Sequence, residues 1–131
     1  MSFQSTASFP CDAASPGRAR SWATGQISAA LDRHTTLPII LNDAALIVSE
    51  LVTNAMRAGC SYADLSIEVD EDAIRVGVID DAPGVPAVQL AGPEEVRGRG
   101  LFLIAALAGD WGVRQTGNGK EVWASLPLHV R

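Results

Sequence analysis

Apolar residues recur at helical spacing in the first half of the chain and at strand spacing in much of the second half. Ser15 followed by Pro16 predicts an N-cap and a first helix over about 15–31, because proline is favoured at the first helical position. A second amphipathic helix is capped by Asn42 or Asp43 and ends at Gly59. The segment before the first helix, roughly 5–10, fits a short edge strand.

From residue 63 onward the apolar residues alternate. "ADLSIEVD" and "AIRVGVID" predict two strands joined by an acidic turn. A long irregular segment over 81–98 follows, then a short apolar helix, "GLFLIAALAG", and a last hairpin around 117–119. This order predicts an α+β fold, a two-layer α/β sandwich with the helices on one face of a mixed, mostly antiparallel sheet. We expect a single domain over 1–131.

Composition and charge narrow the class of protein. With 131 residues, 47% of them apolar and 19% charged, the chain suits one globular domain. The net charge of −5 argues against direct binding to nucleic acid, which needs a basic surface. We expect a cytoplasmic protein without membrane attachment, because neither a signal peptide nor an uninterrupted apolar run of about 18 residues is evident. Cys11 and Cys60 lack the spacing of a disulfide framework and are expected to be free thiols.

Glu50 and Asn54 lie four residues apart in the second helix and therefore share one face of it. A solvated polar face is one explanation, since amphipathic helices have such a face. Asparagine is nevertheless a poor residue for a helix interior, because its side chain competes for backbone hydrogen bonds. The pair is therefore a candidate site.

Asp80 ends the strand in which Ile74, Val76 and Val78 alternate onto one face. Because Asp80 has the same parity, its carboxylate is expected to face the apolar side of the sheet. A buried carboxylate needs hydrogen-bond donors. Those donors are either the amides of the following loop or an amine of a ligand.

The segment "RGRGL" has the residue types of an anion-binding turn. Gly98 and Gly100 allow backbone amides to approach an anion, and the helix that begins near Leu101 adds its positive N-terminal end. Arg97 and Arg99 add charge. A tight turn whose arginines pair with neighbouring glutamates is the alternative.

Together these segments resemble the Bergerat-fold ATPases of gyrase, heat-shock chaperones and histidine kinases. "SELVTNAMRAG" is similar to the Asn box of that family, "DDAPG" to its first glycine box with Ala82 in place of the first glycine, and "GRGL" to its second. Within the family, the chain most resembles the anti-sigma-factor serine/threonine kinases of actinobacterial type. A Gly-Thr-Thr pattern that supports adenine in those kinases is replaced here by Gly119, Lys120 and Glu121.

The resemblance implies ATP and Mg²⁺ as cofactors. It implies that Asn54 is a Mg²⁺ ligand, that Glu50 is the general base, and that Asp80 accepts a hydrogen bond from the adenine amine. Nucleotide-binding positions are implied at Ala82, Gly84, Arg97, Gly98, Arg99, Gly100 and Leu101.

The function that follows from the resemblance is phosphorylation of an anti-anti-sigma-type regulator, alternating with sequestration of a sigma factor. The resemblance also allows a homodimer. The alternative is a non-catalytic interaction module in which nucleotide is absent or only structural.

Overall fold

The computed structural model describes residues 2–31, 38–82, 104, 107–117 and 119–128. The elements it defines there are five strands and two helices. In chain order they are β1 (Phe3–Pro10), α1 (Ser15–Ala30), α2 (Pro38–Arg57), β2 (Tyr62–Val69), β3 (Ala73–Asp80), β4 (Asp110–Gln115) and β5 (Lys120–Pro127).

The five strands form one sheet in the order β1-β2-β3-β5-β4, and each pairing between them is antiparallel. Two helices packed against each other connect β1 to β2. Because a helical hairpin returns the chain to the end from which it left, β2 runs opposite to β1. The predicted two-layer α+β sandwich is confirmed, with a sheet that is antiparallel at every described pair.

The core lies between the helices and one face of the sheet. Inward residues of β2, β3 and β5 alternate with outward ones, and burying them provides the main stabilisation of the fold. The fully buried large side chains include Ile27 on α1, Ile47, Val48, Leu51 and Val52 on α2, and Leu65, Ile67, Ile74, Val76 and Val78 on the sheet.

The helix bounds differ slightly from the sequence prediction. Helix α2 begins at Pro38, so Asn42 and Asp43 lie inside it and do not cap it, because buried Ile40 and Ala44 extend its apolar face toward the N-terminus. Helix α2 ends at Arg57, and Gly59, which was predicted to stop it, follows two residues later with a positive φ of 93°.

The N-cap of α1 and the first residue of β1 also differ from the sequence prediction. The N-cap of α1 is Ala14, and the predicted cap Ser15 instead donates its hydroxyl hydrogen bond to the carbonyl of Pro10. Strand β1 begins at Phe3, two residues earlier than predicted.

Helix α2 is also the one described helix, over Ile39–Arg57, that is long and apolar enough by length and composition to cross a membrane. Its buried residues, among them Ile47 and Leu51, belong to the core of this domain.

The prediction that both cysteines are free was wrong. Cys11 and Cys60 form a disulfide, with their Cα atoms 5.9 Å apart. Cys11 directly follows β1 and Cys60 precedes β2, and the pairing of those strands places Pro10 opposite Tyr62. The cysteines are 49 residues apart in sequence, and strand pairing makes them neighbours.

The irregular segment from residue 83 onward and most of the predicted third helix lie outside the described residues. The described end of that helix contains Ile104, which is fully buried, and the Ala108 N–H donates to the Ile104 carbonyl at 2.8 Å. This is the hydrogen bond of one helical turn.

Candidate functional site

Helix α2 buries Asn54 and leaves Glu50 half-buried. Asn54 is 5% exposed and lies one turn before the end of the helix, beside buried Ala55. A solvated polar face therefore does not account for Asn54. Its Oδ1 atom has no hydrogen-bond partner among the described residues, and an unpaired buried amide oxygen costs about 1–3 kcal/mol.

Asp80 ends β3 with its side chain buried on the helix side of the sheet, as the alternation predicts. Its Oδ1 accepts hydrogen bonds from the backbone N–H of Ala82 at 2.9 Å and from Lys120 Nζ at 3.1 Å. Its Oδ2 is buried without a partner in the part of the chain that is described. One carboxylate oxygen thus caps the following backbone, while the other is left for a further donor.

Lys120 was singled out in the sequence only as part of the replacement for a Gly-Thr-Thr pattern, and neither its burial nor its pairing with Asp80 was predicted. It begins β5 directly opposite Asp80, and its side chain is only 3% exposed. The signal was present in the alternation, because Lys120 has the same parity as buried Val122 and Ala124. The first residue of β5 therefore supplies a buried cation to the Asp80 carboxylate.

Gly119 brings the backbone of the last hairpin against the end of β3. A Cβ atom on Gly119 would lie 1.8 Å from the carbonyl oxygen of Asp80 and 3.2 Å from the Cα of Asp81. Only glycine permits this approach. The contact fixes the separation of the two strands at the point where Asp80 meets Lys120.

Asp81 links the end of β3 to the segment that follows α2. Its Oδ1 accepts from the backbone N–H groups of Ser61 at 2.7 Å and Tyr62 at 3.4 Å. The Ser61 hydrogen bond lowers the pKa of the Asp81 carboxyl below its ordinary value of 3.8. This connection places the C-terminal end of α2, with Asn54, at the same end of the domain as Asp80.

The other predicted nucleotide-binding positions divide into two groups. Ala82 is described and is 3% exposed, and its N–H is already bonded to Asp80. The rest, Gly84, Arg97, Gly98, Arg99, Gly100 and Leu101, lie outside the described residues, so their roles stay predictions.

The family model described as a histidine kinase-like ATPase domain matches residues 13–126 of this chain. The chain belongs to that family. The fold is also similar to that of a histidine kinase domain from the blue-light activated histidine kinase of Erythrobacter litoralis EL346, with a TM-score of 0.55 and 24% sequence identity. The match covers 92% of this chain and 62% of that one, so this chain spans less than two thirds of the solved domain. No curated protein matches the chain.

ATPase domains of this family bind ATP, usually with Mg²⁺. The residues present fit such a ligand, since the two buried atoms that lack a partner among the described residues, Asn54 Oδ1 and Asp80 Oδ2, are both acceptors. An amide oxygen suits Mg²⁺, and a carboxylate oxygen suits an amine. The described residues contain no cluster of three His, Cys, Asp or Glu side chains that could hold a metal by themselves. A metal that arrives with a phosphate ligand agrees with that composition.

Proposed function

We propose that this histidine kinase-like ATPase domain binds Mg-ATP between α2 and the end of β3. The observation that carries the proposal is the pair of buried acceptors, Asn54 Oδ1 and Asp80 Oδ2, which have no partner among the described residues. Burying two acceptors without hydrogen-bond partners destabilises the fold, and a ligand that offers a cation to one and an amine to the other would remove that destabilisation.

Each residue would then have a distinct task. Asp80 Oδ2 accepts a hydrogen bond from the 6-amino group of adenine, and Asn54 Oδ1 binds the Mg²⁺ ion. Bound Mg²⁺ supplies charge neutralisation and orientation of the phosphates. By resemblance, Arg97, Arg99 and the glycines beside them hold the phosphates.

We further propose that the domain transfers the γ-phosphoryl group to a serine or threonine hydroxyl of a partner regulator, in alternation with binding a sigma factor. In that transfer the hydroxyl oxygen forms a bond to phosphorus, the bond from the γ-phosphorus to the bridging oxygen breaks, and ADP leaves. Glu50 takes the hydroxyl proton. The half-buried position of Glu50, one turn before Asn54 on α2, supports this role.

Calorimetry with Mg-ATP tests the binding proposal. Replacing Asp80 by Asn puts an amide at the position that faces the base, so Asp80→Asn is expected to weaken ATP binding about tenfold or more. The matched control is Asp64→Asn, which changes an exposed carboxylate on the opposite face of the sheet that accepts a hydrogen bond from the Ser8 hydroxyl. It should bind ATP like the wild type.

Two results would count against these proposals. Unchanged ATP affinity in a folded Asp80→Asn variant would remove Asp80 from the base site. ATP binding without γ-phosphate transfer to any co-purifying partner would favour the alternative, a non-catalytic interaction module.

A further inference from the structure

Lys120 buries a positive charge where the sheet meets the proposed base site. Its side chain is 3% exposed, whereas the arginine of the neighbouring ion pair, Arg114 with Glu121, is 66% exposed on the other face of the sheet. An ammonium group is expensive to bury, and its pairing with one carboxylate often only repays that cost. Stabilisation of the β4–β5 hairpin is therefore a weak explanation for a buried lysine at this position.

Lys120 and Asp80 do not use all of their hydrogen-bonding groups within the described part of the chain. An ammonium has three N–H donors, and in the described part of the chain Lys120 Nζ donates to a single acceptor, Asp80 Oδ1. That oxygen also accepts from Ala82, while Asp80 Oδ2 has no described partner. Within the described residues, the pair thus has one unused acceptor and unused donors beside each other, on residues that face each other across β3 and β5.

We infer that Lys120 determines base specificity by donating a hydrogen bond to N1 of adenine while Asp80 Oδ2 accepts from the 6-amino group. This inference rests on the proposed ATP binding. The Watson–Crick edge of adenine has an amine donor next to the N1 acceptor, which is the complement of a carboxylate oxygen beside an ammonium group. Guanine has a carbonyl oxygen and an N1–H at those positions. With guanine, the Asp80 oxygen would face a carbonyl oxygen and the Lys120 ammonium would face an N–H group. Neither pair can form a hydrogen bond, so a site built from these groups strongly disfavours guanine.

Two other roles for Lys120 make different predictions. A lysine that only positions Asp80 would affect all adenine ligands equally. A lysine that contacts the phosphates would affect ATP and leave adenosine unchanged. Ligands that differ at N1 or in their phosphates therefore separate the three roles.

The experiment compares ATP with 1-deaza-ATP, in which a C–H group replaces N1, by calorimetry in Mg²⁺. The wild type is expected to bind 1-deaza-ATP about tenfold or more weakly than ATP, because a buried N–H donor loses its acceptor. Lys120→Met should bind the two ligands within about twofold of each other. Lys120→Gln keeps an N–H donor and should retain part of the discrimination. Arg114→Met, which removes an exposed cation from the other face, should discriminate as the wild type does.

The experiment distinguishes a failure of the proposed N1 contact from a failure of the proposed ATP binding. Equal binding of ATP and 1-deaza-ATP by the wild type would overturn the N1 contact and leave ATP binding intact, and this measurement needs no variant to fold. Discrimination retained in Lys120→Met would also overturn it, as would a loss of ATP affinity in that variant without any loss for adenosine. Absence of ATP binding by the wild type would instead overturn the proposed function, and the inference with it.

Discussion

Replacing Gly119 by alanine tests how the site is assembled. The new Cβ would lie 1.8 Å from the carbonyl oxygen of Asp80 and 2.9 Å from its carbonyl carbon, while real Cβ atoms essentially never approach another heavy atom within 3.0 Å. The start of β5 and the end of β3 must therefore separate by about 1 Å, the difference between the first distance and that limit. Since the obstacle is backbone, no side-chain rotation can relieve the clash.

The size of the effect follows from the cost of overpacking. Extra atoms forced into packed structure destabilise by about 1–3 kcal/mol, and a backbone obstacle places Gly119→Ala in the upper part of that range. At roughly 3–5 °C per kcal/mol for a chain of this length, the melting temperature should fall by about 6–15 °C. The same separation moves Asp80 away from Lys120, so ATP affinity should fall about tenfold as well.

Gly117 in the same turn provides a matched control, because a Cβ there would meet no described atom within 4 Å. Gly117→Ala is expected to lie within about 0.5 kcal/mol of the wild type. Urea unfolding of the three proteins measures the difference, and calorimetry with Mg-ATP measures the affinity. Equal stabilities of the two variants would refute the close approach at Gly119. A destabilised Gly119→Ala that binds ATP normally would refute the claim that this contact sets the position of Asp80.

Two further predictions concern the helix and the disulfide. Glu50→Ala is expected to bind Mg-ATP nearly as the wild type does and to lose at least about 10²-fold in γ-phosphate transfer to a co-purifying regulator, and equal transfer rates would remove Glu50 as the base. Replacing Cys11 and Cys60 together by serine is expected to lower the free energy of unfolding by about 2–4 kcal/mol, because the bridge closes a span of 49 residues. Urea unfolding with and without reductant measures this. A wild type that reductant leaves unchanged would contradict it.

Local patterns in the sequence were sufficient to predict the layers of the fold. The alternation of Ile74, Val76 and Val78 gave the inward face of β3, and with it the burial of Asp80. Helical spacing gave the inward face of α2. It did not give the burial of Asn54, because the polar face of the helix was one explanation for that residue, whereas the structure buries it beside Ala55. Periodicity thus fixes the centre of a buried face more reliably than its edge.

Features that depend on which strands are neighbours were harder to predict. The disulfide requires that β1 pair with β2, and the two strands are separated by both helices. Nothing in the residues around Cys11 or Cys60 specifies that pairing. Spacing rules for cysteines describe small disulfide-dense domains, and they do not apply to one bridge between the ends of paired strands.

The position of Lys120 depends both on the local alternation along β5 and on which strand lies beside β5. Its pairing with Asp80 was therefore not predicted. Lys120 has the same parity as Val122, which places it on the buried face of β5. Because lysine is so commonly exposed, however, the pattern alone predicts that the strand end at Lys120 is frayed and open to solvent. The last hairpin predicts that β5 pairs with β4, whereas the partner that matters is β3 on its other side. Only that second pairing places Lys120 opposite Asp80. A lysine and an aspartate at the inward ends of two apolar strands are each costly alone, so their common parity is itself a reason to test whether the two strands are neighbours.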